Sequence, residues 1–405
     1  MNEVTIVLVS AALFGWALVS ARLQRADLTP SIVFLVLGGA LAGLGLVDGS
    51  TIPETFAPLV EVTLVWVLFS DAARLRVQQL REDVGRLVRL LGLGLPLTIL
   101  AGWALAAWLF PQQGLWLAFV VAAALAPTDA ALGLPVVTNP AVPSRIRRLL
   151  TVESGLNDGI TTPVVLLAIA GAAAAAGVEG AEGAGPAVIT LLIGVAAGAA
   201  VGGAGGWLLR RARRRGSAAE EFLGIGVLAL ALLAYAGAVE VGGNGFVAAF
   251  CAGLAFGRFA GPRAEGELVF LEQTSSLVSI LVWSVFGAVT VAIVLDRITV
   301  LTVVYAVLSL TVVRMVPVAL SLIGTGLDRN TVLFVGWFGP RGLASIVFAL
   351  LALEALGPEA DDAVAIITVT ILLSVLAHGL SAAPLAARYG RAAAASTSNP
   401  PAARP

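Results

Sequence analysis

Four polar side chains crowd into six residues of an otherwise apolar stretch: Glu153, Ser154, Asn157 and Asp158 in TVESGLNDGITTPVV, residues 151–165. The run continues as VLLAIAGAAAAAG, so the polar group stands in the first half of an apolar helix. Helical spacing divides it. Ser154 and Asp158 are four apart and share a face with Thr162, while Glu153 and Asn157 occupy a neighbouring face. Glu153 and Asp158 diverge by about 140°, which gives the two carboxylates different tasks. Asp158 with Ser154 and nearby backbone oxygens makes a hard oxygen site suited to a small cation or a proton. Glu153 needs a cation as partner, and Arg341 in VGWFGPRGLASIV lies at comparable depth; that pair is expected as an architectural tie. A third acid, Asp129, follows Pro127 and Thr128 in AAALAPTDAALGLPVV. Its charge is expected to offset the positive dipole ends of interrupted helices.

These residues are placed by an unusually apolar chain. Of 405 residues, 59% are hydrophobic and 12% charged, against about 25% charged in soluble domains. The apolar runs reach the roughly 20 residues a helix needs to cross a bilayer. The pattern predicts an all-α polytopic membrane protein of thirteen transmembrane helices, near residues 3–21, 30–47, 56–73, 86–110, 114–138, 147–176, 186–209, 220–240, 244–260, 268–295, 298–324, 330–355 and 361–387. One transmembrane domain is expected over 1–390, with a disordered tail over 391–405. All 24 basic residues are arginine. They crowd alternate connections, from ARLQR to RRARRR and RYGR, and Arg297 is the exception. By the positive-inside rule the N-terminus lies outside and the C-terminus in the cytoplasm. The sixth span then enters at Arg147 and Arg148 and carries Asp158 about 15 Å inward, near the midplane. An ionised carboxylate there costs about 2.5–3.5 kcal/mol and needs a partner or a purpose.

Spans 5 and 12 are both interrupted, by Pro127 and by Gly339-Pro340. Irregular backbone at that depth is tolerated only inside protein or along a wet cavity. Each is fifth in a block of six, with the span at 186–209 as connector between about 1–176 and 220–388. An odd connector inverts the second block, the pattern of an inverted-repeat secondary transporter.

Other residues carry weaker signals. Asp71, in VLFSDAARLR, reads equally as an ion-path residue or one snorkelling near the interface. Arg314, in LTVVRMVPV, reads as half of a structural ion pair whose other half the sequence does not identify. His378 reads as a packed or capping residue rather than a pH sensor. Cys251, the one cysteine, reads as a small packing residue and excludes an internal disulfide. RRARRR reads first as an ordinary inside loop and second as a site for anionic lipid.

Taken together, APTDAALG, ESGLNDG, NGFVAAFCAGLAFG and GWFGPRGLAS resemble the NhaP-like branch of the bacterial monovalent cation/proton antiporters, in order and over nearly the whole chain. The resemblance implies a homodimer with a dimer-forming domain, a six-helix core domain with crossed, unwound helices, and elevator-like exchange of Na+ for H+. It implies Asp158 as the residue that binds cation or proton, Asn157 as its partner, and Ser154 and the Thr128 backbone as ligating positions. Asp71 matches an acidic position at the inner cavity, Glu153 and Arg341 the core salt bridge, and Asp129 the acid of a Thr-Asp-Pro motif. Here the chain departs, since Ala130 replaces the proline and Pro127 precedes the threonine.

The expectation is therefore electroneutral exchange of Na+ or Li+ for H+ in a bacterial or archaeal inner membrane. Asn-Asp in place of two aspartates leaves one titrating carboxylate, which gives one charge in and one out. K+/H+ exchange on the same fold is the first alternative. An intramembrane aspartyl protease using Asp129 and Asp158, and a channel, are more remote ones. No cofactor and no nucleic-acid partner are expected; membrane lipid is.

Overall fold

The computed structural model describes residues 3–24, 28–47, 52–75, 83–178, 184–261, 265–290 and 294–398. Among them the chain makes thirteen passes from fifteen helical segments. These are α1 (Glu3–Gln24), α2 (Pro30–Gly43), α3 (Ile52–Ala73), α4 (Val84–Leu109), α5 (Gly114–Ala124), α6 (Leu134–Val137), α7 (Ser144–Ala175) and α8 (Ala184–Arg215). They continue with α9 (Glu220–Glu240), α10 (Gly245–Phe259), α11 (Glu265–Val289), α12 (Val300–Ser321), α13 (Arg329–Trp337), α14 (Leu343–Leu356) and α15 (Asp361–Ser398). The expected spans correspond to these passes in order. The tail is the exception, because α15 continues through Ser398 where disorder was expected from 391.

Local chemistry sets several helix starts. Asn244 accepts a hydrogen bond from the Val247 N–H at the head of α10, and Thr299 and Thr302 form a capping box at the head of α12. Asp328 caps α13 through the Asn330 N–H. Such caps satisfy donors that have no partner in the first helical turn. Two passes break in the middle. The fifth runs through α5, an irregular segment from Leu125 to Gly133, and α6; the twelfth runs through α13, residues 338–342 and α14. Pro127 and Pro340, which lack an N–H, lie in the two breaks. Two further passes, α4 and α12, carry a π turn, at Leu90–Gly94 and Ser309–Val313. Each is fourth in its block of six, as each broken pass is fifth.

The helices sort into two bodies by packing. α2, α3, α8, α9, α10 and α11 form a panel, and α4–α7 with α12–α15 form a bundle. Small residues draw the panel together. On α8, Gly194, Gly198 and Gly202 recur every fourth residue, and a Cβ on them would fall 2.5, 2.2 and 2.2 Å from the carbonyl oxygens of Asn244, Ala248 and Ala252. Only glycine permits that approach, the close-packing mode of membrane helices, where lipid supplies no hydrophobic drive for association. The bundle meets the panel where α7 lies against α3, α8 and α10, and α14 against α3 and α11. The polar residues of α7 lie along this seam.

Candidate ion-exchange site

The breaks of the fifth and twelfth passes are tied to each other by opposite charges at opposite helix ends. The Asp129 N–H donates to the Pro340 carbonyl at 2.8 Å. Its carboxylate accepts from the Ala131 N–H at 2.7 Å through Oδ1 and from the Leu343 N–H at 3.0 Å through Oδ2. Leu343 is the first residue of α14, so the acid sits at the positive end of that half-helix. Arg341 does the converse. Fully buried, it donates from Nη1 to the Ala126 and Pro127 carbonyls, both at 3.2 Å, just beyond the C-terminal, negative end of α5. Gly342 is required beside this crossing, since a Cβ there would fall 2.0 Å from Asp129 Oδ2.

Arg341 is thus occupied elsewhere, and the expected Glu153–Arg341 pair is corrected. Glu153 Oε1 accepts instead from Arg314 Nη2 at 2.6 Å, with both side chains no more than 3% exposed. The tie therefore joins α7 to α12, not to the twelfth pass. Arg314 follows the π turn of α12, and its guanidinium lies against the second break, with Nε 2.6 Å from a Cβ built on Gly339. Two buried arginines at similar depth compete for one acid; the crossing carbonyls claim Arg341 and leave Arg314 for Glu153. Nothing in the sequence marks Arg314 over Arg341 as the partner.

Next to this frame, α7 presents its polar face to the first break. Ser154 Oγ donates to the Thr128 carbonyl at 2.5 Å. Asn157 holds Thr128 twice: its Nδ2 donates to Thr128 Oγ1 at 2.7 Å, and its Oδ1 accepts the Thr128 N–H at 3.3 Å. The structure thus brings Ser154, Asn157 and Thr128 together, with Asn157 as the brace. Asp158 is adjacent and 8% exposed, and its Oδ1 is buried with no hydrogen-bond partner among the described residues. A bare buried carboxylate oxygen is costly unless a cation or proton visits it. Asp71 approaches from α3, with its Cβ 3.4 Å from a Cβ built on Gly155. It is half-buried at the seam. One residue beyond Asp158, the Phe250 ring of α10 covers Gly159 so closely that a Cβ there would be 2.1 Å from Cε2. A small cleft reaches the site, lined by Thr128, Asp129, Ser154, Phe338 and Pro340; Asp158 is not among its lining residues.

His378 and the RRARRR run lie away from this site. His378, 1% exposed, is packed between α15 and the end of α13. RRARRR closes α8, with Arg213 paired to Glu267 and Arg211 over the Trp207 ring.

Comparison with known proteins agrees with this architecture. A family model described as sodium/hydrogen exchanger, transmembrane, matches residues 8–388. The K(+)/H(+) antiporter NhaP2 of Shewanella sp. (strain MR-4) is 27% identical over 370 residues, 90% of this chain and 63% of the relative. The K(+)/H(+) antiporter NhaP of Alkalimonas amylolytica is 25% identical over 386 residues, 94% of this chain and 66% of the relative. The chain therefore spans about two thirds of the length of these curated relatives. Among solved structures, the sodium proton antiporter MjNhaP1 from Methanocaldococcus jannaschii at pH 8 superposes with a TM-score of 0.77 at 20% identity, covering 94% of this chain and all of that one. That similarity shows that the two share an all-helical membrane fold. With the family model matched from the first pass to the last, the chain belongs to the sodium/hydrogen exchanger family.

Proposed function

We propose that the protein exchanges Na+ or Li+ for H+ across the membrane, one for one, with Asp158 binding the proton and the cation in turn. The observation that carries this reading is the charge arrangement at the crossing. Glu153 is neutralised by Arg314, and Asp129 and Arg341 are each absorbed by backbone groups of the opposite polarity. Of the carboxylates at the crossing, Asp158 offers a buried oxygen without a hydrogen-bond partner among the described residues. Ser154 and the Thr128 carbonyl supply neutral oxygens beside it, Asn157 braces them, and Asp71 faces the same seam as the acid of the inner approach. Both oxygens of Asp129 accept backbone N–H bonds, which argues against its sharing a proton with Asp158 as a protease dyad would.

Access alternates as the bundle slides on the panel. At Gly155 and Gly159 the face of α7 carries no side chain of its own, so Asp71 and the Phe250 ring of the panel rest directly on its backbone, a close seam along which the two bodies meet. The arginine-rich connections put the N-terminus outside and the C-terminus in the cytoplasm of a bacterial or archaeal cell membrane. The panel serves as the contact surface of a homodimer. In support, the apolar window of α8 is only 17% buried within one chain and exposes Val188, Ile189, Leu192 and Val195. A second reading, K+ as the cation, is favoured by the printed activity of the Shewanella and Alkalimonas relatives. The oxygen donors do not discriminate between the ions.

The test uses proteoliposomes with an inside-acid pH gradient, given Na+, Li+, K+ or choline separately. Collapse of the gradient by Na+ and Li+, abolished in Asp158→Asn, is expected. Collapse by K+ alone moves the function to potassium. An unaffected Asp158→Asn variant overturns the assignment of the site.

A further inference from the structure

The second break is held at both ends by one short chain of hydrogen bonds from α15. At its C-terminal side the Arg341 N–H donates to Ser374 Oγ at 2.7 Å. Ser374 Oγ lies 3.1 Å from His378 Nδ1, one helical turn on. The other ring nitrogen, Nε2, lies 2.9 Å from the carbonyl oxygen of Trp337, the last residue of α13. Nδ1 also lies 2.9 Å from the Ser374 carbonyl. With the proton on Nε2, the ring donates to Trp337 O and gives the Ser374 hydroxyl an acceptor on Nδ1. The opposite tautomer bonds only within its own helix and leaves Nε2 without a proton towards Trp337 O. Ser374, His378 and Arg341 are at most 1% exposed and Trp337 is partly buried, so water has no access to the bonds among Arg341, Ser374 and His378. Trp337 is fixed a second time by Nε1, which donates to Ser381 Oγ at 2.9 Å, and its ring lies 5.0 Å from the imidazole.

We propose that Ser374 and His378 form a clamp that fixes the five-residue break between Trp337 and Leu343 and thereby positions the ion-exchange site. They are positioning residues, because neither touches Asp158. The route is short. The clamp holds the backbone of Arg341, whose guanidinium holds the Ala126 and Pro127 carbonyls. The next residue is Thr128, whose carbonyl, hydroxyl and N–H meet Ser154 and Asn157. A loosened clamp lets the break shift relative to α15 and displaces the Thr128 carbonyl, with little change in the packing of the bundle.

This inference rests on the exchange reading for its transport readout, and a second readout is independent of it. Ser374→Ala, His378→Phe, the double variant and His378→Gln are reconstituted and assayed for cation-dependent gradient collapse. In parallel, amide hydrogen exchange is followed for residues 338–343 in detergent. The expected result is an apparent KM for the cation raised about fivefold in each single variant, the scale of one lost hydrogen bond. The maximal rate changes less than twofold, and the double variant is no worse than the worse single. His378→Gln, whose amide can donate to Trp337 O and accept from Ser374, returns KM to within about twofold. Exchange at 338–343 is faster in the two single variants and near normal in His378→Gln. An unchanged KM, strictly additive effects, or a uniform rise in exchange across the bundle overturns the clamp. If the wild type exchanges no cation, the functional reading fails, and the hydrogen-exchange comparison still decides whether the clamp exists.

Discussion

At the residue scale the competition between two buried arginines decides the frame of the site. Removing one member of a buried ion pair leaves an uncompensated charge and costs about 3–5 kcal/mol, whereas replacing both by apolar residues is often neutral. Glu153→Gln is therefore expected to lower the thermal stability of the purified protein sharply. Adding Arg314→Met should restore most of it, and adding Arg341→Met should not. Rescue by Arg341→Met would place the partnership where the sequence alone suggested it. A second acid tests a different region. Asp83, 2% exposed at the arginine-rich end, is bound by Arg86, Arg145 and Arg148. Burial pushes its carboxyl up, but hydrogen bonds and charge from Arg145, with Arg148 and Arg86, outweigh burial and hold it below the usual value of 3.8. A depressed folded-state pKa contributes stability above the unfolded value and loses it as pH falls through the folded one. Asp83→Asn should thus cost about 1 kcal/mol at neutral pH, its partners being partly exposed. The difference from wild type should vanish in acid denaturation below the folded value; a cost that persists there would assign Asp83 a packing role instead.

At the scale of elements, what the sequence disclosed depended on how many coordinates a pattern fixes. Apolar run length and arginine placement fix each pass along one axis, and the thirteen passes follow from them. Pro127 and Gly339-Pro340 mark the two breaks because proline cannot continue the ladder of backbone bonds. The π turns at Leu90–Gly94 and Ser309–Val313 carry no such mark, being apolar residues that fit a regular helix equally well. Lateral neighbours were also hidden. Depth pointed to Arg341 as the partner of Glu153, and only the folded structure shows that Arg314 is the cation that reaches it. Likewise the spacing of Ser154 and Asp158 put them on one face, yet the Ser154 hydroxyl turns to Thr128 O. The seam between α7 and α10 was not legible at all, and it carries its own expectation. Gly159→Ala forces a methyl group into the Phe250 ring, an overpacking worth about 1–3 kcal/mol. The loss should be relieved by Phe250→Ala in a thermal-stability cycle. If Gly159→Ala is as stable as wild type in either background, the ring does not rest on this helix in the protein's dominant state.

Across the whole molecule, the arrangement of buried charge bears on whether the membrane potential can drive exchange. On the proposed exchange, the tied pairs would move with the bundle as neutral units: Glu153 with Arg314, and Asp129 and Arg341 with the half-helix ends they face. On that proposal, only the load on Asp158 would differ between the two directions of the cycle. Asn157 stands where a second acid would bring a second proton, and its amide is committed to Thr128. One proton inward against one monovalent cation outward moves no net charge. Each elementary charge moved across the membrane would be worth about 2.3 kcal/mol per 100 mV, roughly a 50-fold change in the gradient sustained at equilibrium. Liposomes held at different potentials by a thiocyanate gradient, which involves no candidate substrate cation, should therefore reach the same cation accumulation for a given pH difference. A 50-fold dependence on 100 mV would mean that one uncompensated charge crosses in each cycle. Asp71, the remaining acid at the seam, would then be the group to neutralise next: loss of the voltage dependence in Asp71→Asn would identify it as the second proton carrier.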